Sequence, residues 1–211
     1  MVGLFPGELQ PNATIGGCID IFENAWPNPA ETIAMIEQEC MTIDSGVNWQ
    51  RSGTIGQGPF QEARTNYDLG VTWLAQTIGN KTMKDIHNQY YFLLLAALGP
   101  YAKKYSIKEP LHHEHYNVLK YRDGQEYKEH YDGGTSTGRS ISAICYLNDN
   151  YEGGHIEFPN FNVKLKPEPG MLVLFPSNYA YRHIAHPVTN GTKYALVTWI
   201  HDRPVEGGAL M

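Results

Sequence analysis

The string EHYDGG sets His130 and Asp132 two residues apart. On a strand that spacing sends both side chains to one face, so an imidazole and a carboxylate converge. A second histidine at the same point would complete a 2-His-1-carboxylate set, which holds non-haem Fe(II) and leaves positions open for a chelating cosubstrate and dioxygen. HxD alone is a weak signal, because an exposed strand histidine beside a turn aspartate has the same spelling. Downstream, His183 and His186 stand three apart on an extended segment and face opposite sides, so only one of them can reach such a point. His112, His113 and His115 form a loose cluster that could mimic a metal site but reads as the start of a solvated strand, and His87 reads as a helix-surface residue.

Positioning these groups falls to a second half made of short strands. From His115 onward the segments HYNVLKY, QEYKEHYD, SISAICYLN, HIEFPN, NVKLKP, MLVLFP, HIAHPVT and KYALVTWI alternate with turn residues. The turns are spelled by Asp123-Gly124, Gly133-Gly134, Gly153-Gly154, Pro169-Gly170 and Asn190-Gly191. This pattern predicts a closed or double-layered antiparallel structure, with a jelly roll as the specific expectation. The first half carries the helices. NPAETIAMIEQEC opens with Asn28 as candidate N-cap and Pro29 at the first helical position, and a second helix is expected from about Met83 to Leu98, stopped by Gly99-Pro100. Residues 45–80, rich in Gly, Thr and Asn, have no legible role. The fold class expected is therefore α+β, mainly β: a jelly-roll core with N-terminal helices packed on one sheet.

With 211 residues the chain suits one domain, divided into a helical and loop-rich support region, 1–110, and a jelly-roll core, 111–203. Sixteen basic against 22 acidic side chains give a net charge of -6, and the basic residues are scattered, which argues against nucleic acid as a partner. The apolar run from Phe92 to Leu98 is too short to span a bilayer, and the N-terminus lacks the pattern of a signal peptide, so no membrane association and an intracellular, cytoplasmic location are expected. Cys18, Cys40 and Cys145, odd in number and far apart, read as buried thiols in a reducing compartment. The oligomeric state is not legible.

Over residues 115–201 the ordered motifs make the chain resemble the prolyl 4-hydroxylase family of Fe(II)- and 2-oxoglutarate-dependent oxygenases. They are Tyr121 nine residues before the HxD, Gly138-Arg139 opening the next strand, Tyr146 to Asn148, Glu152 to Pro159, PGMLVLFP at Pro169 to Pro176, and the run from His183 to Trp199. The resemblance implies that His183, which stands ten residues before a basic residue, is the third iron ligand beside His130 and Asp132, leaving His186 as a surface or supporting histidine. It implies that Lys193 anchors the distal carboxylate of 2-oxoglutarate and that Tyr121 and Tyr146 hydrogen-bond this cosubstrate, although both could be core tyrosines with satisfied hydroxyls. Tyr127, Arg139, Trp199 and His201 match positions associated with a peptidyl proline. Tyr127 and Trp199 could equally be core aromatics, whereas polar Arg139 and His201, flanked by apolar neighbours, call for partners.

The expected activity is hydroxylation of a prolyl residue in a peptide or protein at C4, using Fe(II), 2-oxoglutarate and O2, with ascorbate as reductant. Asp132 argues for hydroxylation over halogenation, since halogenating relatives carry a small residue there. The segment from His130 to Arg139 is shorter than in many relatives, which puts its grip on a peptide in doubt. An oxygenase of the same fold acting on a free amino acid, lipid or nucleobase, and a non-catalytic jelly-roll metal-binding protein, are the alternatives.

Overall fold

The computed structural model describes residues 7–53, 62–108, 111–134 and 137–201, together with the backbone of Ala209–Leu210. Its strands in chain order are β1 (Ala13–Ile15), β2 (Ile19–Phe22), β3 (Gln50–Arg51), β4 (Tyr67–Gly70), β5 (His112–His113), β6 (Asn117–Tyr121), β7 (Tyr127–His130) and β8 (Ile141–Tyr146). They continue as β9 (Tyr151–Gly153), β10 (Ile156–Phe158), β11 (Val163–Leu165), β12 (Leu172–Pro176), β13 (His183–Ala185), β14 (Val188–Gly191), β15 (Lys193–His201) and β16 (Ala209–Leu210). The helices are α1 (Pro29–Met41), the short α2 (Val71–Trp73), which runs on as a π-helical turn Leu74–Ile78, and α3 (Lys81–Lys104).

Nine-residue β15 is the spine of the major sheet, whose order is β1-β2-β12-β8-β15-β6-β4-β3, with β5 pairing the end of β15 and β16 pairing β5. The minor sheet runs β11-β10-β13-β7, and β9 pairs β14 apart from both. Every named ladder is antiparallel. This is the double-stranded β-helix, or jelly roll, that the strand spelling predicts. Side-chain alternation gives the major sheet two apolar faces. Ile141, Ala143, Cys145, Leu172, Leu174 and Leu196 meet the helices, while Tyr146, Val173, Phe175 and Ala195 meet Ile156 and Phe158 of the minor sheet.

Helix α3 covers the outer face with Met83, Ile86, Tyr90, Leu93, Leu94, Ala97, Leu98 and Tyr101, as the amphipathic pattern requires. The Tyr90 hydroxyl donates to the carbonyls of Ala143 (3.2 Å) and Leu196 (3.3 Å), tying the helix to the two central strands. The expected stop at Gly99-Pro100 is wrong: the helix starts two residues earlier, at Lys81, and passes through Pro100 to Lys104. Proline lacks the N–H that would reach the Ala96 carbonyl, but that carbonyl accepts from the Leu9 N–H at 2.8 Å, which offsets the usual penalty. Asn80 caps the helix, its side chain accepting from the Met83 N–H. Asn28 does begin α1 but as a left-handed residue with no side-chain cap; the Thr32 hydroxyl donates to its carbonyl and accepts from the Trp26 indole.

Further corrections concern the second half and the loop region. HIAHPVT splits into β13 and β14, and β9 arises where no strand is expected. Of residues 45–80, whose short apolar runs leave edge strands or loops open, the structure makes edge strand β3, its neighbour β4, α2 and the π-helical turn, with 54–61 outside the described residues. His112 and His113 are buried on β5 opposite His201 and Ile200, so only His115 is solvated. His87 is half-buried, its Nδ1 3.2 Å from the Thr72 hydroxyl and its ring 4.7 Å from that of Tyr116. Cys145 is buried, whereas Cys18 and Cys40 are half-exposed, and none forms a disulfide. Among the described residues no helix is long and apolar enough to cross a membrane.

Leu94→Ala should destabilise the protein by about 2–5 kcal/mol in urea unfolding, because the side chain is fully buried in the helix–sheet core. Leu95→Ala, one residue on but 41 % exposed, should change stability by no more than about 0.5 kcal/mol. Equal losses at both positions would contradict the packing described.

Candidate metal and anion site

Strand β13 lies antiparallel to β7 with His183 directly opposite His130, so cross-strand pairing brings the two rings to 4.2 Å between centroids. Contrary to the expectation of a shared strand, β7 ends at His130 and Asp132 lies in the turn beyond it. The Gly133 N–H donates to the Ser177 carbonyl at 2.6 Å, and a Cβ on Gly133 would lie 2.8 Å from that oxygen, so a side chain there would push the turn away. Asp132 is thereby carried to the major sheet, where Ser142 Oγ on β8 donates to its Oδ2 at 2.7 Å and lies 2.8 Å from Ser177 Oγ.

His130 Nε2 is 3.6 Å from Asp132 Oδ1 and His183 Nε2 is 3.7 Å from Asp132 Oδ2. The two Nδ1 atoms face carbonyls, of Lys128 at 2.7 Å and Tyr181 at 3.2 Å. A carbonyl only accepts, so each Nδ1 carries a proton and each Nε2 is turned inward to the cluster. Burial and the neighbouring His183 hold the His130 pKa far below its ordinary value, so the ring is neutral. Burial opposes ionisation of Asp132, but the two imidazoles, the Ser142 hydroxyl and the Trp199 indole together lower its pKa. Two imidazoles and a carboxylate, with donor atoms all within 4.8 Å of one another, could hold a metal ion, and no Lys or Arg among the described residues pairs with Asp132. His186 is excluded from this cluster: its Nε2 is 2.7 Å from Glu157 Oε2 at a half-exposed position.

All three residues line a cavity of about 50 Å³, which Lys193, Tyr121, Tyr146 and Tyr127 also line. Lys193 sits opposite Tyr121 in the β15–β6 register, its Nζ 5.5 Å from the Tyr121 ring centroid and 5.0 Å from that of Tyr146. The ammonium is 2 % exposed and donates to the Gly154 carbonyl at 2.6 Å, and it has no carboxylate partner among the described residues. Burial alone pushes its pKa down to about 7. Gly154 has φ +61, and a Cβ there would lie 2.6 Å from the Tyr151 ring, so this approach to Lys193 requires glycine. The cavity therefore offers a cation waiting for an anion at one end and a candidate metal cluster at the other.

On the opposite flank, Arg139 and His201 find the partner that their setting calls for in Glu114, which the sequence reading did not single out. Arg139 Nε and Nη2 donate to the two Glu114 oxygens, both at 2.7 Å, and His201 Nε2 is 2.8 Å from Oε1. Thr198 Oγ1 fixes the Glu114 carbonyl at 3.1 Å. So held, the guanidinium stacks on Trp199, Cζ 3.6 Å from the ring centroid. Tyr127 stacks on His130 at 3.4 Å between centroids, 12° apart in plane. Trp199 and Tyr127 are thus walls of the cavity, whereas His201 is buried behind it and reaches it only through Glu114 and Arg139. Ser142, a polar residue on the inward face of an otherwise apolar strand, was the legible sign of a supporting hydrogen bond. Arg64, which also lines the cavity, had no sign at all.

Residues 116–201 match the family model of the 2OG-Fe(II) oxygenase superfamily. Among curated proteins the chain is 33 % identical over 124 residues to Probable prolyl 4-hydroxylase 9 of Arabidopsis thaliana, covering 45 % of this chain and 43 % of the relative. It is 32 % identical over 111 residues to Prolyl 4-hydroxylase subunit alpha-1 of Gallus gallus, covering 44 % and 22 %. The chain spans less than half the length of these relatives. Of solved structures, the viral collagen prolyl hydroxylase of Paramecium Bursaria Chlorella virus-1 superposes with a TM-score of 0.60 at 21 % identity, over 88 % of this chain and 96 % of that one. The prolyl hydroxylase of Trichoplax adhaerens, in complex with a hypoxia inducible factor peptide fragment, gives 0.67 at 20 % identity, over 89 % and 84 %. The fold is that of these oxygenases, and the resemblance to prolyl 4-hydroxylases read from the motifs stands.

His183→Ala and Asp132→Ala should each lose stoichiometric Co(II) binding, read by visible absorption without oxygen, while His186→Ala retains it. Retention in His183→Ala would remove that residue from the cluster. Glu114→Gln should lower unfolding stability by about 1–3 kcal/mol, since Arg139 and His201 lose their shared anion. An unchanged urea midpoint would show that the network carries no net stabilisation.

Proposed function

We propose that this chain, similar through residues 116–201 to the 2OG-Fe(II) oxygenases, is a non-haem Fe(II)- and 2-oxoglutarate-dependent dioxygenase that hydroxylates a prolyl residue of a peptide or protein at C4. The observation that carries this reading is a buried lysine without an anion in the same cavity as a 2-His-1-carboxylate cluster. The donor set suits Fe(II): His130, Asp132 and His183 leave one side of an ion free. Bound there with 2-oxoglutarate and O2, iron supplies oxidative chemistry that splits the cosubstrate to succinate and carbon dioxide and places a hydroxyl on an unactivated carbon.

The protein's part is binding, orientation and exclusion of water. Lys193 takes the distal carboxylate of 2-oxoglutarate, and Tyr121 and Tyr146 enclose its chain and offer hydroxyls to it. Tyr127 and Trp199 form apolar walls suited to a pyrrolidine ring, which has no charge to grip and is recognised by shape. Arg139, held flat on Trp199 by Glu114, is a candidate donor to a substrate carbonyl, and His201 positions it through the same carboxylate. The test is anaerobic reconstitution with Fe(II), then oxygen, 2-oxoglutarate and ascorbate as reductant, with succinate measured across a panel of prolyl peptides. The reading fails if no prolyl peptide stimulates succinate formation or gains the mass of one oxygen while a free amino acid, lipid or nucleoside does.

Lys193→Ala should weaken 2-oxoglutarate binding by roughly one to two decades with metal binding retained. The wild-type protein should also show a pH dependence. A carboxylate needs the ammonium form, and burial leaves about half of the lysine uncharged near pH 7 in the empty pocket. Above that pH the ligand must bring a proton in with it, so log Kd should rise with a slope approaching about one per pH unit. Lys193→Arg should flatten the slope, and calorimetry of 2-oxoglutarate binding to the Mn(II)-loaded protein at several pH values would check both.

A further inference from the structure

Two guanidinium groups border the polar groove that opens from the cavity, and they differ in what neutralises them. Arg139 is matched oxygen for oxygen by Glu114. Arg64 is not: its Nε donates to Asn66 Oδ1 at 3.1 Å and its Nη1 to the Gly53 carbonyl at 2.9 Å, both neutral acceptors, and Nη2 has no hydrogen-bond partner among the described residues. Nor does any described carboxylate lie within ion-pair distance of it. Asp68 borders the same outer groove, but it too lies beyond ion-pair distance of the guanidinium. The adjoining stretch TIGQGPFQ, residues 54–61, contains no acidic residue.

Arg64 is also fixed in place. Its backbone bridges to that of Tyr127, the first residue of the strand that carries His130, and its guanidinium lies over the Tyr127 ring at 4.9 Å. It lines both the metal-cluster cavity and the polar groove that opens from it past Gly133 and Arg139. A cation held by neutral groups, with a free N–H at the junction of cavity and groove, fits a ligand carboxylate better than it fits solvent. The Lys193 end accounts for the cosubstrate, so this second charge points to the substrate.

We propose that Arg64 is a specificity-determining residue that receives a carboxylate of the substrate: the C-terminal carboxylate of a terminal proline, or the side chain of an acidic residue next to the proline. This rests on the prolyl reading above and deepens it. Binding to the Zn(II)-loaded protein with saturating 2-oxoglutarate would be measured by calorimetry for two matched pairs. One is a short peptide ending in proline as free acid and as amide; the other is a blocked peptide with Pro-Asp or Pro-Asn inside. In at least one pair the charged member should bind about tenfold or more tightly, and the responding pair identifies the source of the carboxylate. In Arg64→Gln that preference should fall to within about twofold, and in Arg64→Lys it should persist in part. Equal affinities within both pairs in the wild-type protein, a comparison that needs no variant, would overturn the proposal, as would a preference that survives Arg64→Gln. The same pairs with alanine in place of proline separate the two readings. An Arg64-dependent acid preference with alanyl peptides, and no turnover of prolyl ones, would sink the prolyl reading and keep Arg64. Turnover of neutral and acidic prolyl peptides alike would do the reverse.

Discussion

Exclusion of water from the space between the two sheets sets the terms for everything at the site. A charge placed there is costly unless a partner meets it, and the partners available decide what the cavity can do. Asp132 stays ionised against its burial because two imidazoles and a serine hydroxyl surround it, and that same encirclement points three donors at one place. Lys193, buried as deeply, meets a carbonyl and no carboxylate among the described residues, and burial lowers its pKa. Glu114 meets Arg139 and His201 and is spent on them. The three sites thus grade from a filled network, through a cluster that is satisfied among its own members yet open to a metal ion, to a cation that awaits a ligand.

One strand distributes these roles. β15 alternates strictly, so Lys193, Ala195, Val197, Trp199 and His201 share the inward face while Tyr194, Leu196 and Ile200 enter the helix-side core. Small residues at 195 and 197 leave room for the cavity, and large ones at its ends bound it. A one-residue slip of β15 would turn Lys193 to the helix side and Leu196 into the site, so the register that builds the helix-side core also places Lys193. Tyr90 reinforces it by donating to carbonyls of both β8 and β15. The N-terminal helices therefore act on the site without touching it.

Much of this was legible. Period-two alternation and glycine-marked turns predict the jelly roll, the HxD spacing brings His130 and Asp132 together, and the family resemblance implies that His183 and Lys193 join them. What stayed hidden has a common character: it depends on contacts between segments far apart in the chain. The helix continues through Pro100 because the N–H of Leu9 satisfies Ala96, and nothing near Pro100 announces that. His112 and His113 look solvated beside charged neighbours, yet β15 extends far enough to pair with them and bury them. Glu114 lies in a run of histidines and gains its meaning from Arg139 and His201, 25 and 87 residues away. Asp132 reaches its place by leaving the strand that was expected to carry it.

The loop-rich stretch before α3 takes on a different meaning once charge is followed through the cavity. Its composition, rich in Gly, Thr and Asn, marks it as loop-rich and says nothing of a role. Yet β4 extends the major sheet beside β6, and the same stretch carries Arg64 to Tyr127, so its edge position gives it access to the cavity mouth without a share in the metal cluster. A rim residue is free to vary without disturbing the donors of Asp132 or the register of β15, whereas Lys193 and Ser142 are bound to both. Under the proposals made above, chemistry and selectivity would fall to different parts of the chain: the inner faces of β7, β8, β13 and β15 carry the metal cluster and the lysine, and the edge carries Arg64 to the cavity mouth.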